Sequence, residues 1–345
     1  MQAHRHPPTS PLLQRALKSA LPYSINLVYR TQHENRTEHA KVLATFAPED
    51  ASIPNCWAAT YLDRSMRPET EAWIFAAGEL PGHSSPSLSD GFCSECKRAV
   101  LSLLECTSVL PIPLMRADNK PALQLAYQHQ KEFPTPGPNG EYPAHTGTSL
   151  RHLLEKKVIL VGACPEPIHH IMHEFGLIRR DLPGADDVCN KFLFKLSNLP
   201  EERPLPEGLR WGRIREEDIE TVKARTSIPR SAKTLLSLKS VAVFEEETGK
   251  PVAWTFLGLD GSLTTLYTEP EHRSKGVAKA VAARIMREYA PGVAVDGDGN
   301  AWAHADVYIG NRQSESVCTS LGGKALWRHY WLRIDLELAA GLVKR

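Results

Sequence analysis

The segment EPEHRSKGVAKAVA, residues 269–282, changes backbone habit abruptly, and that change constrains the fold more than any other stretch. Upstream lies SLTTLYT (262–268), a β-branched and aromatic run with the composition of a strand. Pro270 blocks its continuation in a ladder. Downstream, Val277, Val281, Ile285 and Tyr289 recur every four residues, which gives a helix one apolar face to lay on a sheet. The first turn of such a helix carries unpaired N–H groups and partial positive charge. Gly276 and Ala278 put little side chain in front of it, and Arg273 and Lys275 add formal charge. A strand–loop–helix junction of this kind is a cradle for phosphate. Its spacing is Arg-x-x-Gly-x-Ala. It is not a Walker loop, which needs Gly-Lys-Ser/Thr, nor a Gly-x-Gly-x-x-Gly dinucleotide loop.

The chain around it has 345 residues, which suits two domains of ordinary size. A hydrophobic fraction of 42% is enough for sizeable cores. The net charge of +1 argues against a nucleic-acid partner held on a large basic face, while a local basic patch for a phosphorylated small molecule fits. No stretch approaches the roughly 20 apolar residues of a membrane span, and the start has no apolar core of signal-peptide length. The cysteines are odd in number, 7, and scattered, as expected of reduced thiols in a cytoplasmic protein without membrane attachment.

Loop-like runs at 80–91, 133–143 and 199–208 punctuate the chain. The last marks the expected boundary between an N-terminal domain, 1–203, and a C-terminal domain, 204–345. In the first half, SINLVYR, AKVLATF, CWAATYL and EAWIFAA read as strands. CSECKRAVLSLLECTSV reads as a helix, KKVILVGAC as a buried strand and PEPIHHIMHEFG as a helix ending at Gly176. The second half reads β-α-β-β-β-α-β-α-β, with a hairpin at Asp260-Gly261. A meander feeding a helix and a further strand is α+β rather than a βαβ repeat. Cys93-x-x-Cys96 has no second pair at zinc-ribbon spacing and is expected to be plain thiols. His169, His170 and His173 lack the glutamate of His-Glu-x-x-His and are expected to be solvated or capping. Trp327 and Trp331 are expected to pack a sheet face. No metal is expected.

With these pieces placed, the loop resembles the acyl-CoA pyrophosphate loop of the GNAT (Gcn5-related N-acetyltransferase) superfamily. The run 304–323, HADVYIGNRQSESVCTSLGG, resembles that family's last motif: a strand, an Asn, a short helix, then Leu-Gly. KPVAWTFLGLDG and WRHYWLRIDL are similar to glycine N-acyltransferase-like and fungal acetyltransferases. The resemblance covers about residues 211–336. It implies two GNAT-like α+β domains in tandem, the first degenerate, each with a central mixed, mainly antiparallel sheet flanked by helices. It also implies acetyl-CoA or another acyl-CoA as co-substrate and a small amine-bearing acceptor. Cofactor contacts are implied for Tyr267, Thr268, Arg273, Ser274, Lys275, Gly276, Val277, Ala278, Asn311 and Ser314, although Asn311 reads equally as a helix cap.

Acyl transfer to an amine needs a base for the ammonium, donors for the oxyanion and, where required, an acid for the departing thiolate. Backbone N–H groups around Tyr267 and Thr268 are the expected oxyanion donors. Many relatives place a tyrosine acid where this chain has Cys318. The glutamate base of glycine N-acyltransferases has no counterpart in KARTSIPRSAK, 223–233. His304 and Asp306 share one face of the strand AWAHADV and are candidates for the base, with Glu269 as the rival. Without those groups, an acyl-CoA-binding regulator that does not turn over is the alternative expectation.

Overall fold

The computed structural model describes residues 1–83, 92–185, 187–202, 204–226 and 230–342. In chain order the first part contains β1 (His4–His6), α1 (Pro11–Ser19), α2 (Ile25–Gln32), β2 (Lys41–Ala44), β3 (Ala58–Leu62), β4 (Ala72–Ala76), α3 (Ser94–Ser108), α4 (Lys120–Glu132), β5 (Val158–Pro165) and α5 (Glu166–Glu174). There follow β6 (Val188–Lys195), β7 (Leu209–Gly212), α6 (Ile219–Ala224), α7 (Ala232–Ser237), β8 (Lys239–Glu245), β9 (Pro251–Leu257) and β10 (Ser262–Thr268). The last elements are α8 (Val277–Tyr289), β11 (Trp302–Tyr308), α9 (Arg312–Ser320) and β12 (Lys324–Asp335).

These elements form two compact units. The first is Met1–Leu27, Arg36–Cys189 and Arg328–Arg345; the second is Val28–Asn35 and Asn190–Trp327. No single cut at 203/204 separates them, because β6 precedes that point yet counts with the second unit from Asn190, and the chain's end returns to the first. The break at 199–208, which holds the undescribed residue 203, therefore lies inside the second unit.

In the first unit the strand order is β1-β2-β3-β4-β5-β12. β1 to β4 are antiparallel neighbours. β4 meets β5 in parallel through Ala72 and Val161. β12 closes this sheet antiparallel to β5, pairing Val158 with Asp335 and Leu160 with Arg333. The core below it joins Ile74 and Val161 to Val100, Leu103 and Leu104 of α3, Met172 of α5 and Leu332 of β12. α3 is a helix because these apolar residues recur three and four apart.

The second unit repeats the plan with the order β6-β11-β10-β9-β8-β7. β7 to β10 form an antiparallel meander, and β10 meets β11 in parallel, Ser262 opposite His304 and Leu263 opposite Ala305. α8 packs across β8, β9 and β10, burying Val277, Val281, Ile285 and Met286. Both units are thus mixed, mainly antiparallel sheets flanked by helices, the α+β architecture expected.

Three local readings change. SINLVYR is helical: Ile25, Val28 and Tyr29 are buried at i, i+3 and i+4, a helical face that β-propensity obscured. His169 is buried rather than solvated, its ring stacked on Tyr330 at 3.9 Å between centroids. β6, read from sequence as no element at all, is a strand whose inner residues Lys191, Phe192, Leu193 and Phe194 are all buried.

Candidate active site

The phosphate-cradle segment sits wholly within the second unit. β10 does not run regularly: it pairs Leu263 with Leu257 and Thr264 with Phe256, then resumes at Tyr267 opposite Trp254. Thr265 takes a positive φ of 53° inside this bulge. A bulge interrupts the ladder and re-aims the strand, and the interruption falls at Thr265 and Leu266. Tyr267 and Thr268, the expected oxyanion donors, are back in register with Trp254 and Ala253. Tyr267 stacks on Trp254 at 5.2 Å. The hydroxyls of Thr265 and Thr268 are buried with no hydrogen-bond partner among the described residues.

Beyond Thr268 the chain makes a single 3-10 turn, Pro270–His272. The Arg273 Nε donates to the Thr268 carbonyl at 3.0 Å, tying the loop to the strand end. Ser274 and Gly276 both have left-handed backbone, φ 60° and 79°. Arg273 is extended, with φ −71° and ψ 163°, and the two positive-φ residues after it re-aim the amides that lead into α8, a loop of the kind whose N–H groups form anion-binding nests. Gly276 is the N-cap of α8, and a Cβ there would meet nothing within 4 Å. Glycine is therefore required by its φ, not by crowding. Val277, by contrast, is 2% exposed, so its side chain is core and only its amide faces the loop. Lys275 and His272 also line a depression of about 480 Å³ together with Glu207, Glu245, Glu246 and Glu247.

The acid and base candidates separate clearly. Glu269 ends β10 with its side chain 17% exposed and paired to Arg225 Nε at 3.1 Å. His304 is fully buried. Its Nε2 faces the Asp260 carbonyl at 3.0 Å and therefore donates to it, and its Nδ1 accepts from Lys191 Nζ at 3.0 Å. Lys191 also pairs with Asp306 at 2.8 Å. The Ser262 hydroxyl donates to the Asp260 carboxylate at 2.7 Å. Both ring nitrogens of His304 are engaged, and a general base needs one free to reach substrate. The network is a buried polar cluster, capped by Tyr29, whose ring lies 2.2 Å from where a Cβ on Gly261 would stand.

Cys318 of α9 is buried, and desolvation, followed by Asp306 and Glu315, pushes its thiol up to about 12. Asn311 is the N-cap of α9, its side-chain oxygen accepting from the Ser314 amide at 3.1 Å. The helix-cap reading of Asn311 is what this geometry shows: the oxygen is committed to the cap, and the amide nitrogen carries the remaining donors.

The family model for the acyl-CoA N-acyltransferase verG N-terminal domain matches residues 1–192. The chain belongs to that family. A second model, FR47-like protein, matches residues 240–332, which hold β10, the loop, α8, β11 and α9. Together they place the chain in the GNAT superfamily. No curated protein matches the sequence. Among solved structures, a Drosophila protein is 12% identical with a TM-score of 0.58, covering 96% of this chain and 98% of that one. That similarity is one of fold across the full length. A tandem GNAT protein from the clavulanic acid biosynthesis pathway is 10% identical over 97% of this chain and 98% of its own, with a TM-score of 0.45. A GCN5-related N-acetyltransferase from Sphaerobacter thermophilus is 11% identical over 97% and 95%, with a TM-score of 0.46. No helix among the described residues is long and apolar enough to cross a membrane.

Sequence reasoning missed three site residues in this unit. Lys191 was detectable only as one of two lysines, with Lys195, that bracket the apolar run FLF. Arg225 is separated from Glu269 by 44 positions, and no local pattern links them. Trp254 lies in a strand that was read correctly, but its stacking on Tyr267 depends on the bulge. In the first unit the structure also brings together Cys56, His83, Cys93 and Cys96, of which only the Cys93-x-x-Cys96 pair was visible as a pattern.

Proposed function

We propose that the second unit binds acyl-CoA at residues 273–278 and transfers its acyl group to the amine of a small acceptor. The observation that carries this is the pair of left-handed residues, Ser274 and Gly276, joining a bulged strand to the open N-terminus of α8. The diphosphate of CoA takes the nest amides, with Arg273 and Lys275 supplying charge. The thioester carbonyl lies along the bulge, where the amides of Thr265 and Leu266 are the oxyanion donors in place of Tyr267 and Thr268. Asn311 and Ser314 address the pantetheine arm through the first turn of α9. Glu269 is the carboxylate placed to receive the ammonium, because it ends the same strand and keeps a solvent-facing edge. His304 and Asp306 hold β11 beside β10. The thiolate leaves unassisted, since a thiol with a pKa of about 8.5 is a competent leaving group.

Titration with acetyl-CoA and longer acyl-CoAs, followed by free-thiol release in the presence of an amine panel, tests the proposal. Binding with amine-dependent thiol release supports it. Tight binding with no release from any amine supports a non-catalytic acyl-CoA sensor instead. A pH–rate profile of Glu269→Gln beside His304→Gln assigns the base: loss of the acidic limb in the first and its persistence in the second is the expected pattern.

A further inference from the structure

The first unit contains four potential metal ligands that the reaction does not use. Cys56 immediately precedes the Trp57-Ala58 start of β3. His83 follows the 3-10 turn after β4. Cys93 and Cys96 open α3. Three separate chain segments thus converge on one point. Cys56 Sγ lies 3.5 Å from Cys93 Sγ and 3.5 Å from His83 Nε2. Cys96 Sγ lies 3.1 Å from the same His83 nitrogen. All four donor atoms fall within 4.8 Å of one another.

We propose that this cluster is a structural zinc site with three cysteine ligands and one histidine ligand. Zinc bonds to sulfur at about 2.3 Å and to imidazole nitrogen at about 2.0–2.1 Å, so a tetrahedral site has donor–donor edges of about 3.5–3.8 Å. Two of the separations above are 3.5 Å, the third is about 0.4 Å short of that edge, and no pair exceeds 4.8 Å, so small side-chain movements bring the four donors to tetrahedral spacing. The set is soft and mixed, three sulfurs and one nitrogen, which selects zinc over hard cations. Four protein ligands close the coordination sphere, and a closed sphere makes the metal a staple rather than a Lewis acid. Each thiol releases its proton to solvent as it ligates, leaving three thiolates, one neutral imidazole and the dication with a net charge of −1.

The surroundings are built to hold that charge. Cys93 is the N-cap of α3, its sulfur accepting from the Cys96 amide at 3.4 Å. Hydrogen bonding from a backbone N–H and the positive end of a helix both favour thiolate. Cys56 and Cys96 are buried, at 7% and 0% exposure, and Cys93 and His83 are half-buried. Phe92 pins the approach to Cys93: its ring stands 2.6 Å from where a Cβ on Gly78 would be, so Gly78 is small to seat it. A redox pair is the rival chemistry, since Cys56 and Cys93 are close enough to oxidise after small motions. A disulfide has no use for the histidine, whereas His83 Nε2 is directed between two of the sulfurs.

The test is metal analysis of the full-length chain, expressed with zinc in the medium and purified under reducing conditions without chelator. One zinc per chain is expected, and it is lost in Cys56→Ser and Cys93→Ser. Cys106→Ser and Cys189→Ser, outside the cluster, retain it. His83→Cys keeps the site folded and loaded while changing the ligand set. Cobalt exchanged into the wild type is expected to give the intense visible bands of a tetrahedral thiolate site, shifted in His83→Cys. Chelation lowers the thermal midpoint of the wild type and leaves that of Cys93→Ser unchanged. A folded, reduced wild-type chain that takes up neither zinc nor cobalt overturns the proposal. So does a Cys56–Cys93 disulfide mapped in the metal-free folded protein.

Discussion

Replacing Lys191 by methionine removes the cation from the buried cluster on β6 and β11 while keeping most of its volume. In the native chain Lys191 Nζ stands 2.8 Å from Asp306 Oδ1, with side chains 2% and 5% exposed. With an effective dielectric constant of about 20, the pair attraction at that distance is about 6 kcal/mol. Desolvating each ion costs several kcal/mol, so the intact pair contributes little net stability. The substitution does not return the system to zero. It strands the Asp306 carboxylate in the interior and leaves His304 Nδ1 without its donor. The expected loss is about 3–5 kcal/mol, the usual consequence of breaking a buried pair from one side. Lys191→Met combined with Asp306→Leu removes both charges and should recover most of that loss, giving a coupling energy of about 2 kcal/mol or more. Urea midpoints and slopes followed by far-UV circular dichroism at neutral pH measure all three variants. The reasoning fails if Lys191→Met unfolds within about 1 kcal/mol of wild type, the scale of an ordinary surface change. It also fails if the double variant is as unstable as the sum of the singles. A cluster whose variants keep full stability while the acidic limb of the pH–rate profile vanishes is catalytic, not structural.

Gly276→Glu brings a carboxylate to the nest; at about 5 Å from a phosphate charge the repulsion is about 3 kcal/mol, a hundredfold or greater loss of acyl-CoA affinity by calorimetry. Gly276→Ala is its control: the left-handed φ of 79° costs about 1–2 kcal/mol of stability in a melting experiment, with no blocking group in the open space. Cys318→Ala should keep kcat within a few-fold, because a thiol at about 12 is too weak an acid to protonate a CoA thiolate of about 8.5, a transfer uphill by about 5 kcal/mol. A hundredfold fall in kcat would restore the acid role. His33 is held down to about 4, mainly by burial and then by Arg30 and Lys239, and its Nδ1 accepts from the Asn35 amide at 3.0 Å. Its folded pKa lies below the unfolded value of about 6.5, so the unfolded chain binds the proton more tightly. The stability it contributes is present above pH 6.5 and declines as pH falls toward 4, by up to about 3 kcal/mol. His33→Asn should flatten the stability–pH curve in that window; an unchanged slope refutes the assignment.

The second unit was legible where its signals are local. Strand-forming composition marked β8 to β11, the four-residue spacing from Val277 marked α8, and Gly276 marked the cradle. What escaped depends on contacts distant in sequence. The pairing of β12 with β5 is set by a register between residues such as Val158 and Asp335, and no window of sequence carries it. β6 escaped because a lysine in an apolar strand argues against burial until its partners, His304 and Asp306, are known. The face rule put His304 and Asp306 on one side of β11 correctly, but which side meets substrate is a property of the neighbouring strands. The metal-binding quartet shows the same divide. Cys93-x-x-Cys96 is a local pattern, whereas Cys56 and His83 are brought to it only by the arrangement of β3, β4 and α3.

The placement of β12 fixes when the first unit can be finished. Its sheet lacks that strand until residues 324–335 are made, although the other five strands are made before residue 166. Throughout synthesis of everything between, β5 presents Val158, Ile159, Leu160 and Val161 along an unpaired edge, the kind of edge that recruits foreign strands. A chain cut short before Arg328 keeps that edge permanently. Truncations between α9 and β12 should therefore yield insoluble product even though they spare every residue of the loop and α8, and expression of residues 1–192 alone should be rescued by supplying the β12 segment as a separate peptide.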